Sequence, residues 1–428
     1  MQDAALRLKS LVEQLLGAPL PLRIRAWDGS EAGPPAAPVL VVRNRRAVRR
    51  LLWKPGELGL ARAWVAGDLG VEGDLYAALD LMSGLLWERG EDARGVREAL
   101  RDPEVRAALR GLVKLAGPLP PAPPAEEVRR RRHLHTKRSD RRAISHHYDV
   151  GNDFYEIVLG PSMVYSCAYW EDDGSLEDAQ RDKLELIARK LDLKAGQRLL
   201  DVGCGWGSMA IHAAREHGVS VVGVTLSQEQ AAYARKRVAD EGLTDRVEIR
   251  VQDYRDVTDG PYDAISSIGM AEHVGAERYL EYAETLRRLL RPGGRLLNHQ
   301  IARPPRRDES AYSVDEFIDA YVFPDGELAP VGTTVTQLER AGFEVRDVES
   351  IREHYALTLR RWVVNLEEQW TRAVRLTSPG RARVWRLYMA ASALAFEHNR
   401  IGVNQVLAVR TPEASGASGM PLRARDWN

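Results

Sequence analysis

The sequence predicts an α/β fold: a doubly wound, mostly parallel seven-stranded sheet with helical inserts, preceded by a small mixed α/β N-terminal domain. Three observations predict it. From about residue 141, short apolar β-branched runs alternate with helical stretches, the spacing of parallel strands joined by crossover helices. The turn Asp201-Val202-Gly203-Cys204-Gly205-Trp206-Gly207 leaves one such run and enters a helix, which is where doubly wound sheets bind ligands. The Pro-rich stretch at 117–124 cannot continue a helix and separates this region from what precedes it.

The chain has 428 residues and 47.9 kDa, a size that suits two or three domains. With 44% hydrophobic and 29% charged residues, it has the composition of a globular protein, which excludes a disordered chain, a disulfide miniprotein and a collagen-like fibre. Lys+Arg and Asp+Glu both number 61, so no global field attracts nucleic acid. Two cysteines, Cys167 and Cys204, make neither a disulfide framework nor a zinc cluster. The N-terminal stretch is an amphipathic helix rather than a signal peptide, and no apolar run reaches the roughly 18–20 residues of a spanning helix. The expectation is a cytoplasmic protein, peripherally associated with the inner face of the cell membrane.

Residues 1–115 read as an accessory domain with a strand at 39–42 and Gly-punctuated helical turns, and with nothing catalytic in it. Residues 116–140 form a linker, Pro-rich and then Arg-rich. The basic run Arg129 to Arg132, Lys137, Arg138, Arg141 and Arg142 is either a solvated tether or a contact for anionic headgroups, at about 1 kcal/mol per basic residue. Nucleic acid is disfavoured, because no aromatics are interleaved. The main domain spans 141–412, with strands expected at 198–202, 219–225, 247–251, 262–268, 295–301, 343–348 and 404–409. Pro292-Gly293-Gly294 is expected to turn into the fifth, and the inserts at 305–336 and 355–400 add helices and a lid. Residues 413–428 read as a disordered tail.

The glycine turn is spaced G-x-G-x-G and opens on Asp201, and the second strand ends at Thr225, where a dinucleotide enzyme would place a carboxylate for the ribose. S-adenosylmethionine is therefore a better ligand than NAD. Cys204 is read as packing. Gln252-Asp253-Tyr254, after the third strand, stands where such folds contact adenine, or else it caps the strand.

The blocks HYDVGNDFYEIVLGPSMVYSCAYW (147–170), LLDVGCGWG, VVGVTLSQEQ, QDYRD, SIGMAEHVG (267–275) and NHQIA (298–302) closely resemble the cyclopropane-fatty-acyl-phospholipid synthase family. That family includes mycolic acid cyclopropane synthases and actinobacterial methyl-branching methyltransferases. The resemblance covers roughly 141–411 and, more loosely, the N-terminal GLARAWVAGDLGVEGDL. It implies a class I methyltransferase Rossmann-like domain, with S-adenosylmethionine as donor and the cis double bond of an unsaturated phospholipid acyl chain as acceptor. In the family Thr and Gln replace the second-strand acid, matching Thr225 and Gln230. Tyr165 and Ser166 join Asp201, Gly203, Gly205, Gly207, Thr225, Gln230, Asp253 and Tyr254 as candidate cofactor-binding residues. The resemblance also implies a bound bicarbonate as general base, held by Cys167, Glu272, His299, the backbone N–H of Ile301, and Tyr355. Taken singly, Cys167, His299 and Tyr355 also read as packing residues.

An alkene that takes up a methyl group becomes a carbocation, so water must be excluded and a base presented. Tyr165, Tyr169 and Trp170 are candidate aromatic faces for the cation, or plain core. His146 and His147 are adjacent, with no metal-binding partner spacing, and no metal site is expected. Where the family carries Phe, this chain has Ala271, which leaves the product open. The expected product is a methylene-branched chain, with cyclopropane formation as the alternative and a small polar acceptor as a further one. A catalytically inert membrane-binding paralogue is disfavoured, because Cys167, Glu272, His299 and Tyr355 are all present. Expected partners are the membrane surface, a second copy in a homodimer and, for a methylene product, a flavin- or nicotinamide-dependent reductase.

Overall fold

A computed structural model describes residues 3–87, 102–128, 150–171, 174–324 and 326–423. His146, His147 and the basic run beginning at Arg129 lie outside the described residues. The chain divides into two compact units, one of residues 1–130, 315–322 and 377–394, the other of the remainder.

The first unit carries a four-stranded sheet in the order β2-β1-β3-β4. Its strands are β1 (Arg23–Arg25), β2 (Glu31–Ala32), β3 (Val39–Val42) and β4 (Leu69–Glu72). Helix Ala4–Leu16 is capped by Asp3, whose side chain accepts the Leu6 N–H. Its Leu8 joins Leu22, Ile24, Val42, Val48 and Leu112 in the core. This unit does not end at residue 115, because side chains and carbonyls of the expected linker pair within it. Carbonyls of Pro118 and Ala122 accept Trp53 Nε1 (2.8 Å) and Arg50 Nη1 (2.7 Å). Glu127 takes Arg62 and the Tyr321 hydroxyl, and the Val128 N–H bonds the Ala320 carbonyl. Two pieces of the expected inserts, 315–322 and 377–394, therefore belong here.

In the second unit the seven strands are ordered β10-β11-β9-β8-β5-β6-β7. These are β5 (Arg198–Val202), β6 (Ser220–Thr225), β7 (Val247–Val251), β8 (Tyr262–Ile268), β9 (Leu290–Ala302), β10 (Glu344–Ser350) and β11 (Gly402–Val409). The five strands from β9 to β7 run parallel, while β11 is antiparallel to both of its neighbours. Period-two alternation explains the continuous apolar runs: Leu199, Val221 and Leu297 bury on one face, Leu200, Val222 and Leu296 on the other. β9 starts five residues earlier than expected. Tyr262 pairs with Leu290 and Ala264 with Arg295, so Pro292-Gly293-Gly294 is an irregularity inside the strand rather than a turn before it. The tail from 413 to 423 has no helix or strand, but Met420 is buried in the Leu199 core. Among the described residues no helix is long and apolar enough to cross a membrane.

Candidate functional site

The glycine turn is anchored before it meets any ligand. The N–H groups of Gly203 and Cys204 both donate to the Val224 carbonyl on β6 (2.9 and 3.0 Å), and the Gly207 N–H closes onto the Cys204 carbonyl. Helix Ser208–His217 then begins, so its unpaired N–H groups and dipole face the carboxyl edge of the sheet. The cavity at this edge is lined by Tyr165, Ser166, Asp201, Gly203, Gly205, Thr225, Gln230, Asp253 and Tyr254, all predicted from the sequence.

Gly207 is the exception among the predicted cofactor residues. It is not in the wall, but packs behind it at φ +82°, where an added Cβ would come within 3.1 Å of Ala234 Cβ. Gly207→Ala combines a left-handed backbone with overpacking and is expected to cost about 2–4 kcal/mol. Urea denaturation, read against the parent, checks this.

Polar groups in the wall are held by named partners. Thr225 Oγ1 donates to Gln230 Oε1 at 2.9 Å, and Ser227 caps helix Gln228–Asp240. That pairing leaves the Gln230 amide NH2 as the donor available to a ligand. Asp253 lines the cavity and also caps the turn after β7, accepting the Arg255 N–H and pairing with the Arg255 guanidinium (2.7 Å). Asp201 accepts Ser266 Oγ at 2.8 Å, while its Oδ2 is buried without a partner. Burial pushes the Asp201 carboxyl up to about 6, against the Ser266 hydrogen bond and the Lys183 charge.

Two residues that hold Ser166 are not among the candidates expected from the sequence. Gln180 Nε2 donates to the Ser166 carbonyl and Lys183 Nζ to Ser166 Oγ, both at 3.0 Å. Both come from helix Leu176–Leu191, which is started by Ser175 accepting the Asp178 N–H. Lys183 is fully buried, and burial brings its ammonium down to about 8 although Cys167 and Asp201 pull the other way.

The second predicted set, Cys167, Glu272, His299, Ile301 and Tyr355, lies outside the wall of that cavity, although Cys167 directly follows Ser166 and Glu272 sits between Met270 and His273, which line it. Glu272 is brought directly onto Ile301, whose N–H donates to Glu272 Oε1 at 2.8 Å. The other oxygen of Glu272 is buried without a partner, and burial pushes the carboxyl up to about 7 against the Ile301 hydrogen bond. His299 lies two residues before Ile301 on the same face of β9. Its Nδ1 faces Gln405 Nε2 at 3.4 Å, and its Nε2 is buried without a partner. Burial, with the charges of Lys183 and Lys190, holds this ring well below its usual range and so neutral. Cys167 Sγ points at the carbonyls of Ala168 and Ile351, and burial raises its thiol. Ile351 in turn bonds Val403, the β11 partner of Ile301. Tyr355 packs its ring on Phe396 (4.6 Å) and edge-on to Trp362, which also contacts Tyr165.

The remaining candidates lie in different surroundings. Tyr165 belongs to the aromatic group of Tyr155 and Trp362. Tyr169 instead stacks on His354 and bonds Glu349, and Trp170 bonds Thr358 and His354. Ala271 is not in the cavity wall; it is buried in the core with Val274, Tyr279 and Tyr282.

The chain is similar to known proteins in sequence and in fold. The family model for mycolic acid cyclopropane synthetase matches residues 135–406. A probable fatty acid methyltransferase of Mycobacterium tuberculosis is 46% identical over 415 residues, covering 94% of each chain. The cyclopropane-fatty-acyl-phospholipid synthase of Escherichia coli K12 is 40% identical over 267 residues, 62% of this chain and 67% of its own. Among solved structures, mycolic acid cyclopropane synthase CmaA1 complexed with SAH and CTAB has a TM-score of 0.59 at 33% identity, covering 63% of this chain and 97% of that one. The chain belongs to the mycolic acid cyclopropane synthetase family and is an S-adenosylmethionine-dependent methyltransferase of the cyclopropane-fatty-acyl synthase type.

Proposed function

We propose that this enzyme methylates the cis double bond of unsaturated acyl chains in membrane phospholipids and releases a methylene-branched product. The observation that carries the reading is the junction of two sites on one sheet edge: the glycine-turn cavity, and beside it a buried Glu272–Ile301 pair with a neutral His299 whose Nε2 has no partner. Relatives matched along nearly the whole chain carry the name of fatty acid methyltransferases, which supports methyl transfer to an acyl chain.

The cavity suits the cofactor on its own donors and acceptors: Asp201 Oδ2 lacks a partner, and the Gln230 amide and the N-terminus of helix Ser208–His217 face ligand space. Tyr165, Ser166, Asp201, the glycine turn, Thr225, Gln230, Asp253 and Tyr254 would hold it. Bound there, S-adenosylmethionine supplies an electrophilic methyl group. The acyl double bond gains a C–C bond and leaves a positive charge on the neighbouring carbon. The buried Tyr155, Trp362 and Tyr355 rings and the half-buried Tyr165 ring exclude water and present π faces to such a charge. A hydride shift followed by loss of one proton gives the methylene branch; proton loss from the new methyl with ring closure gives the cyclopropane.

The base decides how that proton leaves. Bicarbonate would supply it if held by Cys167, Glu272, His299, Ile301 and Tyr355. The His299 Nε2 orphan fits a small anion: Gln405 donating to Nδ1 puts the ring proton on Nε2, ready to donate. Glu272 now occupies the Ile301 N–H, so the anion must displace that carboxylate oxygen. A second reading follows from the same bond: Glu272, with a carboxyl near 7, is itself the base. Peripheral binding at the membrane surface, a homodimer and a reductase that saturates the methylene group belong to the proposal.

Incubation with oleoyl-phospholipid vesicles and S-adenosylmethionine, with mass spectrometry of the fatty acids, tests it. A one-carbon gain as a hydrogenatable exocyclic alkene is expected. A saturated ring would overturn the branching assignment, and no gain would return a small polar acceptor to first place. Repeating the assay in bicarbonate-depleted buffer separates the bases: loss restored by added bicarbonate supports the anion, unchanged turnover supports Glu272.

A further inference from the structure

Away from the cofactor cavity, three metal-ligating side chains converge between two helices. Glu185 comes from helix Leu176–Leu191, His212 and His217 from helix Ser208–His217. Nε2 of His212 lies 3.2 Å and Nε2 of His217 3.0 Å from the same oxygen, Glu185 Oε2. One ligand atom from each of the three lies within 4.8 Å of the others. His212 is buried, while His217 and Glu185 are half-buried, so the group has a closed back and an open side. None of the three lines the cofactor cavity.

The separations have a geometric meaning. Ligand atoms at about 2.0–2.1 Å around a tetrahedral ion stand about 3.3 Å from one another, so both His–Glu edges are already close to those of an occupied tetrahedron. The remaining carboxylate oxygen, Glu185 Oε1, accepts Arg189 Nε at 2.9 Å, which orients the carboxylate from behind. We propose that Glu185, His212 and His217 form a binding site for a borderline divalent cation of the Zn2+, Co2+ or Ni2+ type, with solvent as the fourth ligand. Two imidazoles select such ions over Mg2+ and Ca2+, which prefer oxygen ligands.

The site ties together the two helices that back the cofactor cavity. Helix Leu176–Leu191 also carries Gln180 and Lys183, which hold Ser166, and helix Ser208–His217 opens on the cavity through Ser208 and Met209. The ion acts as a structural clamp on those helices and takes no part in the methyl transfer.

Untagged, EDTA-treated full-length protein titrated with ZnCl2 by calorimetry and followed by thermal denaturation tests the site. The expected result is a site for one Zn2+ and a Tm that rises with Zn2+ but not with Mg2+. His217→Gln, at a half-buried helix end, should keep the parent Tm in EDTA, bind Zn2+ at least about tenfold more weakly and lose the zinc-dependent rise. Glu185→Gln gives a second test independent of how the first variant folds. A parent protein whose Tm ignores Zn2+, or variants that bind Zn2+ as the parent does, would overturn the proposal.

Discussion

Glu272→Gln should fold and bind S-adenosylmethionine as the parent does, yet turn over at least about a hundredfold more slowly, the lower end of what a positioned general base contributes. The fold survives because Gln Oε1 still accepts the Ile301 N–H that Glu272 Oε1 accepts at 2.8 Å. Turnover does not, because an amide cannot take a proton at this position or orient an anion that does. The pH profile supplies a second readout. Burial pushes the Glu272 carboxyl up to about 7, so the catalytically useful ionised form is lost as pH falls through 7. The parent's kcat should therefore decline tenfold per pH unit on the acid side of 7, and the residual activity of Glu272→Gln should lack that limb. Steady-state kinetics from pH 5.5 to 8.5, with cofactor affinity measured by calorimetry, checks both. Near-parent turnover would remove Glu272 from the mechanism.

What the sequence disclosed follows a physical pattern. Strands buried on both faces write themselves as unbroken apolar runs, and the observed strands of the main sheet lie within two residues of the expected bounds except at the start of β9. There the Pro292-Gly293-Gly294 chemistry looks like a turn, and only the pairing of Leu290 with Tyr262 makes it part of a strand. Candidate cofactor residues were legible because they sit in short contiguous motifs at strand ends. The boundary of the first unit was not, because 315–322 and 377–394 join it through partners such as Glu127 that are remote in sequence. The Glu185, His212 and His217 group leaves no spacing signature, since the acid and the first imidazole are 27 positions apart. Lys183 did leave a signal. In LEDAQRDKLELIARKL it falls on the stripe of Leu176, Ala179, Gln180, Leu184, Ile187 and Ala188, all buried, and a lysine on an apolar stripe is a charge kept for a reason.

That charge sets the second prediction. Lys183→Met preserves the length of the side chain and removes a fully buried ammonium, so the protein should be as stable as the parent or more so, because the desolvation penalty disappears with the charge. Cofactor binding should move the opposite way. Ser166 loses the hydrogen bond from Lys183 Nζ (3.0 Å), a charge-assisted bond of about 1.5–3 kcal/mol, and Asp201 loses the cation that holds its carboxyl down. An increase of about tenfold or more in the KM for S-adenosylmethionine follows, with a smaller change in kcat. Two pH dependences separate this from a general packing defect. In the parent the Lys183 ammonium is lowered by burial from 10.5 to about 8, so cofactor affinity should weaken as pH rises through 8, while the variant shows no such limb. The unfolded chain, with the ordinary lysine pKa, binds more protons than the folded one between about pH 8 and 10.5, so parent stability should rise across that window and variant stability should not. A variant that loses stability and cofactor affinity together, with the parent's pH profile retained, would show that Lys183 fills space rather than placing a charge behind Ser166.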